Sequence, residues 1–364
     1  MRDAKACSLY SEEVAYPMIK SKLLCAALSF LLAAGSLAAC GQTESAPNTD
    51  SVSAGTDSSR SDSGSSVSIV TTIFPQYDWV REIVKDSPQG IETTLLLRDG
   101  VDLHSYQPTA EDIMKIATCD IFIYVGGESD RWVEDALTEA ANSDMTVVNL
   151  LDVLGDSAKE EVIGFGMETD DDESAAEREH EGEEEKEYDE HVWLSLRNAE
   201  VCCDAIEKAV LEKDPENAEI YSANLATYKD KISALDREYM EAAGSGSTDT
   251  LLFGDRFPFL YMTEDYGLRY YAAFSGCSAE TEASFETIVY LAGKVNELGL
   301  KSICTIENSD QKIAQTIRDN TETKDQEIYA FDSLQSIKAE DIENGATYLS
   351  LMENNLDVLR KALG

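Results

Sequence analysis

The sequence predicts an α/β protein: two lobes of alternating strands and helices with mainly parallel sheets, joined by one long rigid linking helix. Three observations carry this expectation. Short β-branched or aromatic runs alternate with helically periodic segments between residues 67 and 150, and again between 251 and 363, as βαβ units do. Between the two stretches Tyr221, Leu225, Tyr228, Ile232, Leu235 and Tyr239 recur at alternating steps of four and three, a narrow apolar stripe along a straight helix. At 364 residues the chain is long enough for two domains of ordinary size.

Residues 1–39 read as leader and signal peptide. Lys20 and Lys22 precede an apolar run from Leu23 to Ala39, too short and too rich in small residues to span a membrane comfortably. The run closes Leu37-Ala38-Ala39-Cys40-Gly41, which resembles a bacterial lipobox and implies lipidation at Cys40. The residues before Met18 include Glu12 and Glu13 and do not suit a signal peptide, so Met18 reads as the true start. Residues 40–66, mostly Ser, Thr, Gly and Asp, form a flexible tether. The expected product is extracytoplasmic and held to the membrane by its lipid alone.

Residues 67–213 form the first lobe. Val67–Ile73 is a strand stopped at Phe74-Pro75; a helix follows through Trp79 and Ile83, then a strand at Ile91–Leu97 and a loop at Arg98–Tyr106. Pro108-Thr109-Ala110-Glu111 opens a helix, Ile121–Val125 is a strand, Trp132–Ala141 a helix and Met145–Leu150 a strand. An acidic loop, 168–190, carries Asp170-Asp171-Asp172 and Glu183-Glu184-Glu185; such a run cannot bury apolar surface. At His191 the chain turns apolar again, and Asn198–Leu211 is amphipathic. The linking helix, 214–243, starts at Asp214-Pro215. The second lobe, 244–364, repeats the alternation: strands at Leu251–Phe253, Tyr270–Phe274, Ser302–Ile306 and Ile328–Phe331, a loop at Gly254–Pro258, and a closing helix at Tyr348–Leu363.

Charge narrows the partners. Lys+Arg 29 against Asp+Glu 71 gives −42, a surface that repels nucleic acid and anionic lipid and attracts cations. Of eight cysteines, Cys7, Cys25 and Cys40 belong to the leader and the anchor. An exported chain permits disulfides; Cys277–Cys304 is the preferred pair, with free buried thiols the alternative. No CxxC pair suggests a structural zinc knot.

Four strand-end loops carry candidate metal ligands: His104, His191, Asp255 and Asp332, two from each lobe. Ligands of α/β sheets gather at such loops. Imidazoles with carboxylates suit Zn²⁺, Mn²⁺ or Fe²⁺. Taken singly, each residue is more often structural; the joint placement is what points to a bound ion.

These stretches resemble the cluster A-I metal-binding lipoproteins, the solute-binding components of ABC importers for zinc and manganese. The resemblance rests on Thr72-Ile73-Phe74-Pro75, on Gly100 through Pro108, on His191-Val192-Trp193-Leu194, on Asp214-Pro215 with Tyr221 and Asn224, and on Tyr348 through Leu356. It implies His104 and His191 as the first two ligands, Asp255 in the loop of the third, and Asp332 as the fourth with Glu307 as a nearby substitute. A site with only two histidines leans toward manganese in this family, while an acidic loop bearing a histidine, here His180, resembles the zinc-type members. Zinc is placed first and manganese second. The implied protein is a monomer, not an enzyme, that passes its ion to an ABC permease with little relative movement of the lobes. A surface adhesin, and behind it a metallohydrolase, are the rival readings.

Overall fold

The β-branched run at residue 67 forms the first strand, and the alternation behind it builds the first sheet. The computed structural model describes residues 66–88, 90–162, 164, 167, 187–278 and 282–364. The leader, Cys40, the tether up to Ser65, His180 and most of the acidic loop lie outside them. In order come β1 (Val67–Thr71), α1 (Phe74–Val84), β2 (Ile91–Leu95), α2 (Ala110–Thr118), β3 (Ile121–Tyr124), α3 (Trp132–Thr138), β4 (Thr146–Asn149) and α4 (Leu150–Leu154). Pro75 sits in the first turn of α1, where its missing N–H is not needed. The Gln76 carboxamide oxygen accepts from the Thr72 and Ile73 N–H groups just ahead of that turn. Leu150, expected to end a strand, instead opens α4, because the Asn149 side chain accepts from the Asp152 N–H and caps a helix there.

α5 (Leu196–Lys213) and α6 (Ala218–Ser245) follow. The second lobe contains β5 (Thr250–Phe257), α7 (Leu260–Asp265), β6 (Arg269–Ser275), α8 (Phe285–Leu298), β7 (Ser302–Ile306), α9 (Lys312–Asp319), β8 (Glu327–Phe331), α10 (Ala339–Glu343) and α11 (Tyr348–Leu363). α10 was not expected from the sequence. Each sheet has four strands, all parallel, in orders β2-β1-β3-β4 and β6-β5-β7-β8. The two halves thus share one topology. Among the described residues, no helix is long and apolar enough to cross a membrane.

β5 departs from the sequence expectation in a way that bears on the site. It continues through Gly254-Asp255-Arg256, read above as a loop, with a register shift against β6 between Phe253 and Arg256. Asp255 covers this irregularity, its carboxylate accepting from the Arg256 N–H at 2.9 Å and facing the Ile306 N–H of β7 at 3.5 Å.

The lobes are welded. The stripe on α6 is buried at Tyr221, Leu225, Tyr228, Ile232, Leu235 and Tyr239 and belongs to one apolar core that runs from Val67 to Leu363. Asn224 on α6 donates to the carbonyls of Ile83 and Lys85 at the end of α1, and Tyr239 donates to the Met352 carbonyl on α11. Near the start of α11, the Tyr348 hydroxyl donates to the Trp193 carbonyl, and the Trp193 indole donates to the Ser333 carbonyl, each at 2.7 Å. Tyr348→Phe should therefore cost about 1–3 kcal/mol, because it strands a buried carbonyl. Denaturant unfolding would measure this, and an unchanged midpoint would show that the bond contributes nothing.

Candidate metal centre

His104 lies in a short 3-10 turn, Leu103–Ser105, beyond β2, and Asp102 caps that turn by accepting from the His104 N–H at 3.0 Å. His191 directly precedes another 3-10 turn, Val192–Leu194, and is fully buried. The acidic loop is closed at its base just before it. Glu160 and Tyr188 form an antiparallel bridge, and the Asp189 N–H donates to the Lys159 carbonyl. Tyr261 of α7 donates to the Asp189 carbonyl and accepts from the Lys159 N–H. The chain therefore returns from the acidic stretch through this hydrogen-bonded base directly to His191.

The two rings meet. His104 Nε2 and His191 Nε2 are 3.2 Å apart. Each outer nitrogen has oxygen partners. His191 Nδ1 is 3.1 Å from Asp189 Oδ1, and since a carboxylate only accepts, the ring must donate there. His104 Nδ1 is 2.8 Å from Ser129 Oγ and 3.6 Å from Glu190 Oε2. Asp189 thus fixes the His191 proton on Nδ1 and frees its Nε2 lone pair, and the tautomer of His104 that donates to Ser129 Oγ frees the second Nε2 beside it. Histidine metal ligands are oriented in this way, by carboxylates and hydroxyls behind the ring.

Electrostatics favour that role at His104 and load His191 with negative neighbours that a bound cation would offset. Burial, then the neighbouring His191, pull His104 down to about 3, so its ring is neutral at ordinary pH. Burial opposes charge on His191 as well, but Asp189, joined by Glu190 and Glu161, outweighs it and the net direction is up. Burial pushes Glu190 up. Gly127, at φ +83°, lets Glu190 approach, because a Cβ there would sit 2.5 Å from Glu190 Oε1.

A third donor comes from the other lobe. The turn Gly276-Cys277 after β6 packs on the His191 ring, and Cys277 Sγ lies within 4.8 Å of a ring nitrogen of each histidine. Burial first, then Glu190 and Glu161, push its thiol up. Glu161, at the base of the acidic loop, accepts from the Cys277 N–H at 3.3 Å. An alanine Cβ at Gly276 would lie 2.9 Å from the Phe257 carbonyl and 3.1 Å from His191 Cε1. Gly276→Ala should displace the ring and weaken the binding of any metal ion held there at least about tenfold, as changes behind a ligand do. Calorimetric titration reads this directly.

The expected carboxylates do not join the cluster. Asp255 is occupied at the β5 irregularity described above. Asp332, beyond β8, caps its own turn by accepting from the Leu334 N–H, while its backbone pairs with the Asn355 side chain on α11. Burial, then Glu307, push it up to about 7. Glu307 accepts from Ser333 and Ser336, and with Asp332 it lines a separate cleft with Lys338 and Asp341. The expected Cys277–Cys304 disulfide is corrected: both are free thiols. Cys304 is fully buried on β7 and pushed up to about 12 by that burial, whereas Cys277 turns toward the histidines. Arg256, which sequence reasoning passed over, reaches across the lobes to Asp102 at 2.7 Å, just before His104.

A family model described as ZnuA, zinc-uptake complex component A, periplasmic, matches residues 69–362. The zinc-binding protein AdcA of Streptococcus pyogenes serotype M3 is 28% identical over 298 residues, covering 81% of this chain and 55% of that protein. The chain thus spans about half the length of the first curated relatives it matches. The high-affinity zinc uptake system protein ZnuA of Bacillus subtilis is 27% identical over 346 residues, 94% of this chain and 97% of that one. The crystal structure of the Zn(II)-bound ZnuA-like domain of Streptococcus pneumoniae AdcA superposes with a TM-score of 0.64 at 25% identity, covering 82% of this chain and 99% of that chain.

Proposed function

The chain belongs to the family of periplasmic zinc-uptake complex component A proteins, and on that footing we propose that it captures a divalent transition metal outside the membrane and passes it to an ABC permease. Zinc is the favoured ion and manganese the second. The observation that carries this reading is the pair of histidine Nε2 atoms 3.2 Å apart, each ring backed by oxygen partners at its other nitrogen. Two nitrogens each about 2.0–2.1 Å from a tetrahedral ion stand roughly 3.3–3.4 Å apart. The rings are thus spaced for a shared cation without further movement. The names of the relatives support zinc over manganese and a binding role over an enzymatic one.

Attachment through a lipid on Cys40, and action as a monomer, complete the proposal. The −42 formal charge raises the local cation concentration around the site through weak, screened attraction. The core shared by the lobes supports release by rearrangement of the loops at 102–106, 189–191 and 276–278, with the lobes held in place. Metal-free and metal-loaded scattering profiles should then nearly coincide, and a large change in overall dimensions would rule this route out. Calorimetric titration of the metal-free chain with Zn²⁺ and with Mn²⁺ tests the capture itself. One tight zinc event is expected; weak, multiple events only would overturn the reading.

A further inference from the structure

We propose that Cys277 supplies the third protein ligand, as a thiolate, and that this sulfur makes the site select zinc over manganese. The proposal rests on the metal-capture reading above and specifies its donor set.

The geometry is built rather than incidental. Cys277 Sγ and one nitrogen from each of His104 and His191 converge within 4.8 Å of one another, the only such group of three or more His, Cys, Asp or Glu side chains among the described residues. Gly276 brings the turn against the His191 ring where a side chain would collide, and Glu161 anchors the Cys277 N–H. Two histidines come from the first lobe and the thiol from the second, so one ion would tie the lobes together at this point. The other described cysteines, Cys119, Cys202, Cys203 and Cys304, are buried in the core, and Cys277 alone is only partly buried.

Donor chemistry decides the ion. Manganese is best served by carboxylate, carbonyl and water oxygens, whereas thiolate and imidazole together suit zinc. The two carboxylates that would harden the site, Asp255 and Asp332, lie outside this group, and each accepts from a backbone N–H of its own turn or strand. Binding exchanges the thiol proton for the ion: the S–H bond breaks, the proton leaves to solvent, and sulfur donates its electron pair to the metal, with no change in oxidation state.

Cobalt(II) is the probe, used on the intact, reduced chain. A sulfur-to-cobalt charge-transfer band in the near ultraviolet is expected with the wild-type protein. It should vanish in Cys277→Ser while the visible ligand-field bands persist. In the same variant zinc affinity should fall at least about tenfold with manganese affinity little changed, so the preference narrows. Cys277→Asp, which restores a third ligand as oxygen, should shift the preference further toward manganese. Zinc should also shield the wild-type thiol from a disulfide reagent, a readout that needs no variant. If cobalt binds without the charge-transfer band and zinc leaves the thiol reactive, sulfur ligation is overturned and metal capture stands. If neither cobalt nor zinc binds, the reading beneath it fails as well.

Discussion

His191→Ala is expected to remove tight zinc binding altogether. The ring is fully buried, its Nε2 lies 3.2 Å from that of His104, and Asp189 holds its other nitrogen. No other described histidine can substitute, since the chain has only three. Losing the carboxylate behind a liganding ring typically costs about 10–100-fold, so Asp189→Asn should fall in that range and the alanine variant beyond about 100-fold. His104→Ala, on the more open side of the pair, should match it, and it leaves Asp189 with its hydrogen bonds from His191 while removing the ring beside Glu190. Titration calorimetry alongside circular dichroism separates lost binding from lost structure. Folded variants with wild-type affinity would dismantle the site.

Mild acid should stabilise the metal-free chain while it weakens metal binding. Burial pushes Asp78 up to about 6 and Asp130 up to about 7, from an ordinary value of 3.8. The folded state therefore keeps protons that the unfolded chain has already released. This contribution is fully present below about pH 4 and is lost as pH rises through 6 and then 7. At ~1.4 kcal/mol per pKa unit as an upper bound, even a strongly discounted effect is a few kcal/mol, or several degrees in melting temperature. Easing the self-repulsion of a chain with formal charge −42 adds in the same direction. Thermal melts of the metal-free protein should climb from about pH 8 to about pH 5. Asp78→Asn, which keeps an acceptor for the Tyr348 N–H, should flatten part of the climb. The increment that zinc adds to the melting temperature should shrink over the same range, because protons compete for the imidazoles and the thiol. A metal-free melting temperature that falls steadily toward pH 5 would refute the linkage.

Architecture was legible because it is written in periodicity. The stripe on α6 and the strand runs are set by local residue order, and the structure differs from them mainly at ends, as where Asn149 caps α4 one residue before the expected strand end. His104 and His191 were legible because each follows a change in chain character, at a strand end or out of an acidic run. Cys277 was not, since a single thiol carries no spacing signal and pairing it with Cys304 accounted for it in an exported chain. Only the approach of Gly276 to the His191 ring shows where that thiol goes. The loop expected around Asp255 is a strand for a related reason. A strand that continues through Gly254-Asp255-Arg256 with a register shift looks like a loop in one dimension, and its carboxylate covers a neighbouring strand's N–H.

The aromatic side chains along α6 serve both lobes at once, and this limits how the chain can be divided. Severed between Lys213 and Ala218, either fragment would present to water a face whose complement had gone with the other piece. Such a face invites aggregation. Melting should accordingly be a single cooperative event, and any engineered fusion or split must leave this helix and both of its neighbours on one polypeptide.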